Sequence, residues 1–110
     1  MAPLVILPTY QEAENVRHAL TRVREVLPEA HVLVVDDGSP DGTADLAEET
    51  GRELGQIHVL RRPAKAGRGP AYRAGFAWGS DHGHDVLVEM DADGQHDPAV
   101  LPDLIATLDR

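Results

Sequence analysis

Four short apolar runs set the limits on what this chain can fold into: Leu4–Leu7, His31–Val35, Ile57–Leu60 and Val86–Met90. Each is four or five residues long and rich in Val, Ile and Leu, and each stops at polar or turn-forming residues. Runs of that length without in/out alternation suit strands buried on both faces of a parallel sheet. Between them the apolar period changes to that of a helix. Val16, Leu20, Val23 and Leu27 fall at i, i+4, i+7 and i+11 before Pro28, and Thr9 with Glu12 has capping-box spacing ahead of them. The reading is one amphipathic helix starting near Thr9.

A weaker helix is expected from Thr43 to about Leu54, burying Ala47 and Leu54, with Gly51 lowering its stability. Arg61–Pro70 reads as a basic loop rich in Gly and Pro. Ala71–Gly79 is moderately helical, with Tyr72, Phe76 and Trp78. A last helix is expected from Pro98, where Leu101, Leu104, Ile105 and Leu108 share a face. Strands alternating with helices give an α/β fold with a mostly parallel four-stranded sheet flanked by helices, in one domain over residues 1–110. Ligands in such sheets sit beyond the C-terminal strand ends, at the switch in strand order. Those ends are Pro8-Thr9-Tyr10, Asp36-Asp37 and Asp91-Ala92-Asp93.

The third of these ends carries the most chemistry. Val86–Met90 stops at two carboxylates, Asp91 and Asp93, with Gln95 two positions on. Carboxylates at i and i+2 across a turn can reach one hard divalent cation, and Gln95 can add a neutral oxygen. Such a metal would neutralise a leaving diphosphate. The following Pro98 excludes an EF-hand loop. A phosphatase of the haloacid-dehalogenase type remains a rival, although Gln95-His96 stands where that motif has Thr and an apolar residue. Asp97 reads as a helix cap before Pro98.

Asp36 and Asp37 are adjacent on a strand and point to opposite faces, so one should face a ligand and the other should hold loop N–H groups. Glu12 is accounted for equally by a capping box and by a ligand. Tyr10, at a strand end, has little core to join. Arg61, Arg62, Lys65 and Arg68 suit either phosphate or an anionic membrane surface, or pairing with nearby acids. Glu89, inside an apolar strand, is expected to pair with a Lys or Arg. The six His residues lack ligand spacing and read as surface residues, with His96 beside the acidic loop.

Charge narrows the partners. With 19 acidic and 10 basic residues the net charge is −9, which leaves no basic surplus for nucleic acid. There is no Cys, so disulfides and thiolate metal sites are excluded, in keeping with a reducing compartment. No apolar run approaches the ~20 residues of a membrane span, and the N-terminus does not read as a signal peptide.

PTYQEAENV, VVDDGSPDGT, GRGPAYRAGF and EMDADGQHDP, in that order, resemble the family 2 glycosyltransferases, most closely the polyprenyl-phosphate (dolichol-phosphate) mannosyltransferases. The resemblance runs from Leu4 to about Leu108. It implies part of a GT-A (Rossmann-like) fold that binds a nucleotide sugar, GDP-mannose, with Mg2+ or Mn2+. The sugar would pass with inversion to a polyprenyl phosphate. By position in the motifs, Pro8, Tyr10 and Glu12 would contact the nucleotide, and Val35 and Asp37 would flank base and ribose. Asp91 and Asp93 would bind metal and diphosphate and carry catalysis, Ala92 would line the pocket, and Gln95 would complete the metal shell. A sibling transferase using UDP-glucose, or an inactive nucleotide-sugar-binding module, are the alternatives.

Arg68 and Pro70 replace the Leu and small residue usual in the family, and family catalytic domains are longer, with basic acceptor-side elements. The expected location is cytoplasmic, with peripheral contact at the cytoplasmic face of the membrane. Self-association or a second chain is expected to cover exposed apolar surface.

Overall fold

The computed structural model describes residues 3–63, 67–84 and 86–90. The order is β1 (Leu4–Thr9), α1 (Val16–Val26), β2 (His31–Asp36), α2 (Thr43–Leu54), β3 (Ile57–Arg61), α3 (Arg68–Asp81) and β4 (Leu87–Glu89). All four strands run parallel in the order β3-β2-β1-β4. The helix expected from Pro98 lies outside the described residues.

β1 and β2 are buried on both sides, which explains their unbroken apolar runs. Val5, Leu7, Val32, Val34, Val88 and Met90 face Val16, Ala19, Leu20 and Val23 of α1 and Ala47 of α2. Leu4, Ile6, Leu33 and Val35 face α3 through Ala71, Tyr72, Phe76 and Trp78. α3 approaches closely because Ala71, Gly75 and Gly79 lie four apart on its inner face. A Cβ at Gly75 would stand 2.6 Å from Ile6 Cγ2, and one at Gly79 2.9 Å from a methyl of Leu4 and of Leu87.

Several boundaries differ from expectation. Thr9 belongs to β1, opposite Asp36, so the Thr9–Glu12 capping box does not form and α1 begins at Val16 behind Asn15. Leu54 is only half-buried, and Thr43, Ala44, Ala47 and Thr50 form the inner face of α2. α3 starts at Arg68, inside the expected loop. Pro70 is tolerated there because the first-turn N–H groups of a helix have no intrahelical partner.

Candidate functional site

The strand order fixes where a site can lie. The chain lays β2 and then β3 on one side of β1, then recrosses the sheet through α3 to set β4 on the other side. The crevice beyond the C-terminal ends of β1 and β4 is therefore the switch point.

Pro8 withholds one bond from that pairing. Leu4 and Ile6 bond toward β4, as Leu4 N→Val86 O at 2.9 Å and Met90 N→Ile6 O at 3.0 Å. Pro8 is next in that alternation and has no N–H to offer the Met90 carbonyl. Among the described residues the β1–β4 register runs from Leu4 opposite Leu87 to Ile6 opposite Glu89. Asp91, Ala92, Asp93 and Gln95 lie outside the described residues. Two carboxylates and an amide oxygen are a donor set suited to a hard cation such as Mg2+ or Mn2+. Among the described residues no group of three or more His, Asp or Glu could hold a metal ion.

Across β1, the neighbouring Asp residues divide their work. The Asp36 carboxylate accepts from Thr9 Oγ1 at 2.7 Å, Ser39 Oγ at 2.6 Å and Ser39 N at 2.9 Å. Asp36 thus takes the loop-holding role foreseen for one of the pair. Asp37, buried at the next position, stands 3.6 Å from Arg62 Nη1, an ion pair longer than a hydrogen bond.

The β1–α1 loop leans on the β2–α2 loop. Gln11 N donates to Ser39 Oγ at 2.8 Å, Glu12 N to Thr43 Oγ1 at 3.0 Å and Ala13 N to Asp41 Oδ2 at 3.2 Å. The Thr43 hydroxyl, partly opposed by burial and aided by the Ala13 and Thr43 N–H groups, holds the Asp41 carboxyl below its usual range. These contacts were not foreseen. The Ser, Asp and Thr of that segment read only as turn and cap residues, and their partners are 28 or more positions away.

The remaining expected residues are placed as follows. Tyr10 is half-buried at the rim. The Glu12 carboxylate accepts from Asn15 Nδ2 at 3.2 Å. Val35 is fully buried on the α3 face. Arg61 pairs with Asp45 and Glu48 of α2, so both Arg61 and Arg62 take the acid-paired alternative. Lys65 and the Arg68 side chain lie outside the described residues. Glu89 is exposed on the α3 side of β4, and among the described residues it has no ion pair. Its strand has a neighbour on one side among those residues, so the charge can stay in water without a partner.

At the opposite end of the sheet, none of the described His residues is buried, but four of them gather in a cluster that the sequence did not foretell. His31 and His58 stack with Nδ1 and Nε2 3.0 Å apart. His84 lies against His31, and Trp78 against His58 and His82. Burial, then His84 and Arg24, lower the pKa of His31; burial, then His31, His84 and His82, lower that of His58.

An all-parallel sheet whose polar loops gather at its switch point, with an acidic tripeptide following β4, is a partial domain of the GT-A type. The relationships agree: residues 4–110 match glycosyl transferase family 2, and the chain belongs to that family. It is 54% identical over 105 residues to an undecaprenyl-phosphate mannosyltransferase of Micrococcus luteus, covering 96% of this chain and 43% of that protein. It is 52% identical over 107 residues to a polyprenol monophosphomannose synthase of Mycolicibacterium smegmatis, covering 96% of this chain and 40% of that protein.

A mannosyltransferase of Pyrobaculum calidifontis, solved with GDP-mannose and Mn2+, superposes with a TM-score of 0.72 at 25% identity, over 83% of this chain and 27% of that one. The chain thus spans less than half the length of the relatives it matches. Among the described residues no helix is long and apolar enough to cross a membrane.

Proposed function

We propose that this chain is the nucleotide-sugar-binding part of an inverting polyprenyl-phosphate mannosyltransferase that takes mannose from GDP-mannose. The observation that carries this reading is the switch-point rim. There the Pro8–Glu12 loop and Asp37 leave the ends of β1 and β2, and β4, the strand that the acidic tripeptide follows in the sequence, runs beside them on the other side of β1. The likeness to mannosyltransferases of polyprenyl carriers supports the sugar and the acceptor.

In this reading Pro8, Tyr10, Glu12 and Asp37 engage the nucleotide, with Val35 as buried floor beneath base and ribose. Asp91, Ala92 and Asp93 meet the diphosphate. Asp91, Asp93 and Gln95 hold Mg2+ or Mn2+, which when bound stabilises negative charge on the leaving diphosphate. The acceptor phosphate is already an anion at neutral pH, so the chain has little general-base work to do. Its task is to position donor and acceptor. Longer relatives have chain enough for acceptor contacts, and residues 1–110 supply the donor side.

Titration calorimetry with GDP-mannose and Mn2+ tests this. Wild type should bind, and Asp91→Ala and Asp93→Ala should each abolish the heat. Equal heats for all three would refute it. Binding without mannosyl transfer to a short-chain polyprenyl phosphate would favour the second reading, an inactive binding module.

A further inference from the structure

We propose that Ser39, Asp41 and Thr43 are positioning residues that set the Tyr10–Ala13 loop in its ligand-receiving form before any ligand arrives. The inference rests on the donor-side reading above.

Two carboxylate–hydroxyl relays carry it. The Ser39 hydroxyl donates its one proton to Asp36 Oδ1, so what it presents to Gln11 is a lone pair, and it accepts the Gln11 N–H. The Thr43 hydroxyl likewise donates to Asp41 Oδ1 and accepts the Glu12 N–H. Asp41 Oδ1 also accepts Thr43 N at 3.1 Å, which leaves Oδ2 for Ala13 N. Three consecutive N–H groups of a segment without regular structure are thereby claimed by side chains of one other loop.

The arrangement holds a strained backbone. Gln11 has φ 54°, a left-handed conformation that a non-Gly residue keeps only where its surroundings enforce it. The strained residue lies between Tyr10 and Glu12, the two side chains assigned to the nucleotide, and the clamp holds the N–H groups of Gln11, Glu12 and Ala13. Thr43 is fully buried, and its hydroxyl connects the two loops as part of the core, so the loop is fixed to the rigid start of α2. A loop already held in its bound shape loses less freedom on binding, which shows as affinity.

The test compares wild type with Thr43→Val, Thr43→Ser and Asp41→Ala, reading GDP-mannose affinity with Mn2+ by calorimetry and amide exchange at Glu12 and Ala13. Thr43→Val keeps the shape but removes the acceptor, and Thr43→Ser restores it. Asp41 is exposed, so its variant separates loop effects from folding. Losing one such bond should weaken binding by about 3- to 10-fold. Thr43→Val and Asp41→Ala should show that loss and faster exchange at Glu12 and Ala13 respectively, while Thr43→Ser matches wild type. Undiminished affinity in Thr43→Val and Asp41→Ala would overturn the positioning role and leave the donor-side reading intact. Absence of binding by wild type would overturn both.

Discussion

Replacing Gly75 by Ala tests how α3 is seated, because two opposed effects of known size meet there. Ala is the better helix former by ~0.8–1.0 kcal/mol, and on a free helix face the change would stabilise the protein. Gly75 is not on a free face. The new Cβ would meet Ile6 Cγ2 at 2.6 Å, Cδ1 at 3.2 Å and Cγ1 at 3.3 Å. Ile6 is fully buried in β1, paired on both sides, so it cannot swing away. Helix and strand must separate, and overpacking of this kind costs about 1–3 kcal/mol. A contact this short belongs in the upper part of that range, leaving a net loss of about 1–2 kcal/mol after the propensity gain. For a chain of this size that lowers Tm by roughly 5–15 °C. Urea unfolding followed by circular dichroism reads the loss. Gly69→Ala, whose Cβ would meet only Arg73 Nη1 at 3.5 Å, serves as the control and should be neutral or stabilising. In an Ile6→Ala background the clashing methyl groups are gone, and Gly75→Ala should then be neutral or stabilising by up to ~1 kcal/mol. An equal cost in both backgrounds would refute the packing argument.

Other consequences follow from the polar contacts. His31 and His58 have folded-state pKa values below the ordinary 6.5, so their neutral forms are favoured. The stability they contribute is complete above about pH 6.5 and is lost as pH falls through the folded-state values. Unfolding midpoints between pH 8 and pH 5 should therefore decline, and His58→Phe should flatten the decline; an unchanged slope in that variant would count against the cluster. Asp36→Asn replaces a carboxylate that accepts three hydrogen bonds by an amide that cannot accept them all. It should cost about 1–3 kcal/mol in urea unfolding, and a cost near zero would remove Asp36 from the loop-holding role. Competition calorimetry should show GDP-mannose displacing UDP-glucose, and the reverse preference would move the donor assignment to the glucosyl branch.

What the sequence disclosed, and what it concealed, divides by the range of the forces involved. β1 and β2 were legible because residues buried on both faces must be apolar, and the half-buried β3 and β4 by their Val, Ile and Leu. Their ends were not, because pairing decides those: Thr9 and Asp36 are polar but complete β1 and β2 by bonding to each other. The capping box fails for the same reason, since Thr9 is held in β1 and α1 begins seven residues further on, at Val16. α3 was half-seen because its aromatic residues signal a helix, while the seating surface is Ala71, Gly75 and Gly79, which carry almost no apolar signal. The stacked His residues come from β2, β3 and the turn after α3, and no local spacing links them.

The candidate site obeys the same division. Tyr10, Asp36 and Asp37 stand at the ends of β1 and β2, where the sequence placed them. The hydroxyls that hold the loop were hidden, since their role depends on which proton has already been donated elsewhere. Pro8 joins the two levels. In the sequence it reads as the residue that closes a strand. In the sheet β1 runs on past it toward Thr9, and what Pro8 does on the β4 side is withhold one N–H from the Met90 carbonyl. A residue with an N–H at that position could add one bond from β1 to the Met90 carbonyl, directly before Asp91 in the sequence. A Pro8→Ala variant should therefore lose affinity for GDP-mannose with Mn2+ while unfolding at the same urea concentration or higher. Unchanged affinity would mean that the missing donor plays no part in freeing the acidic residues for the ligand.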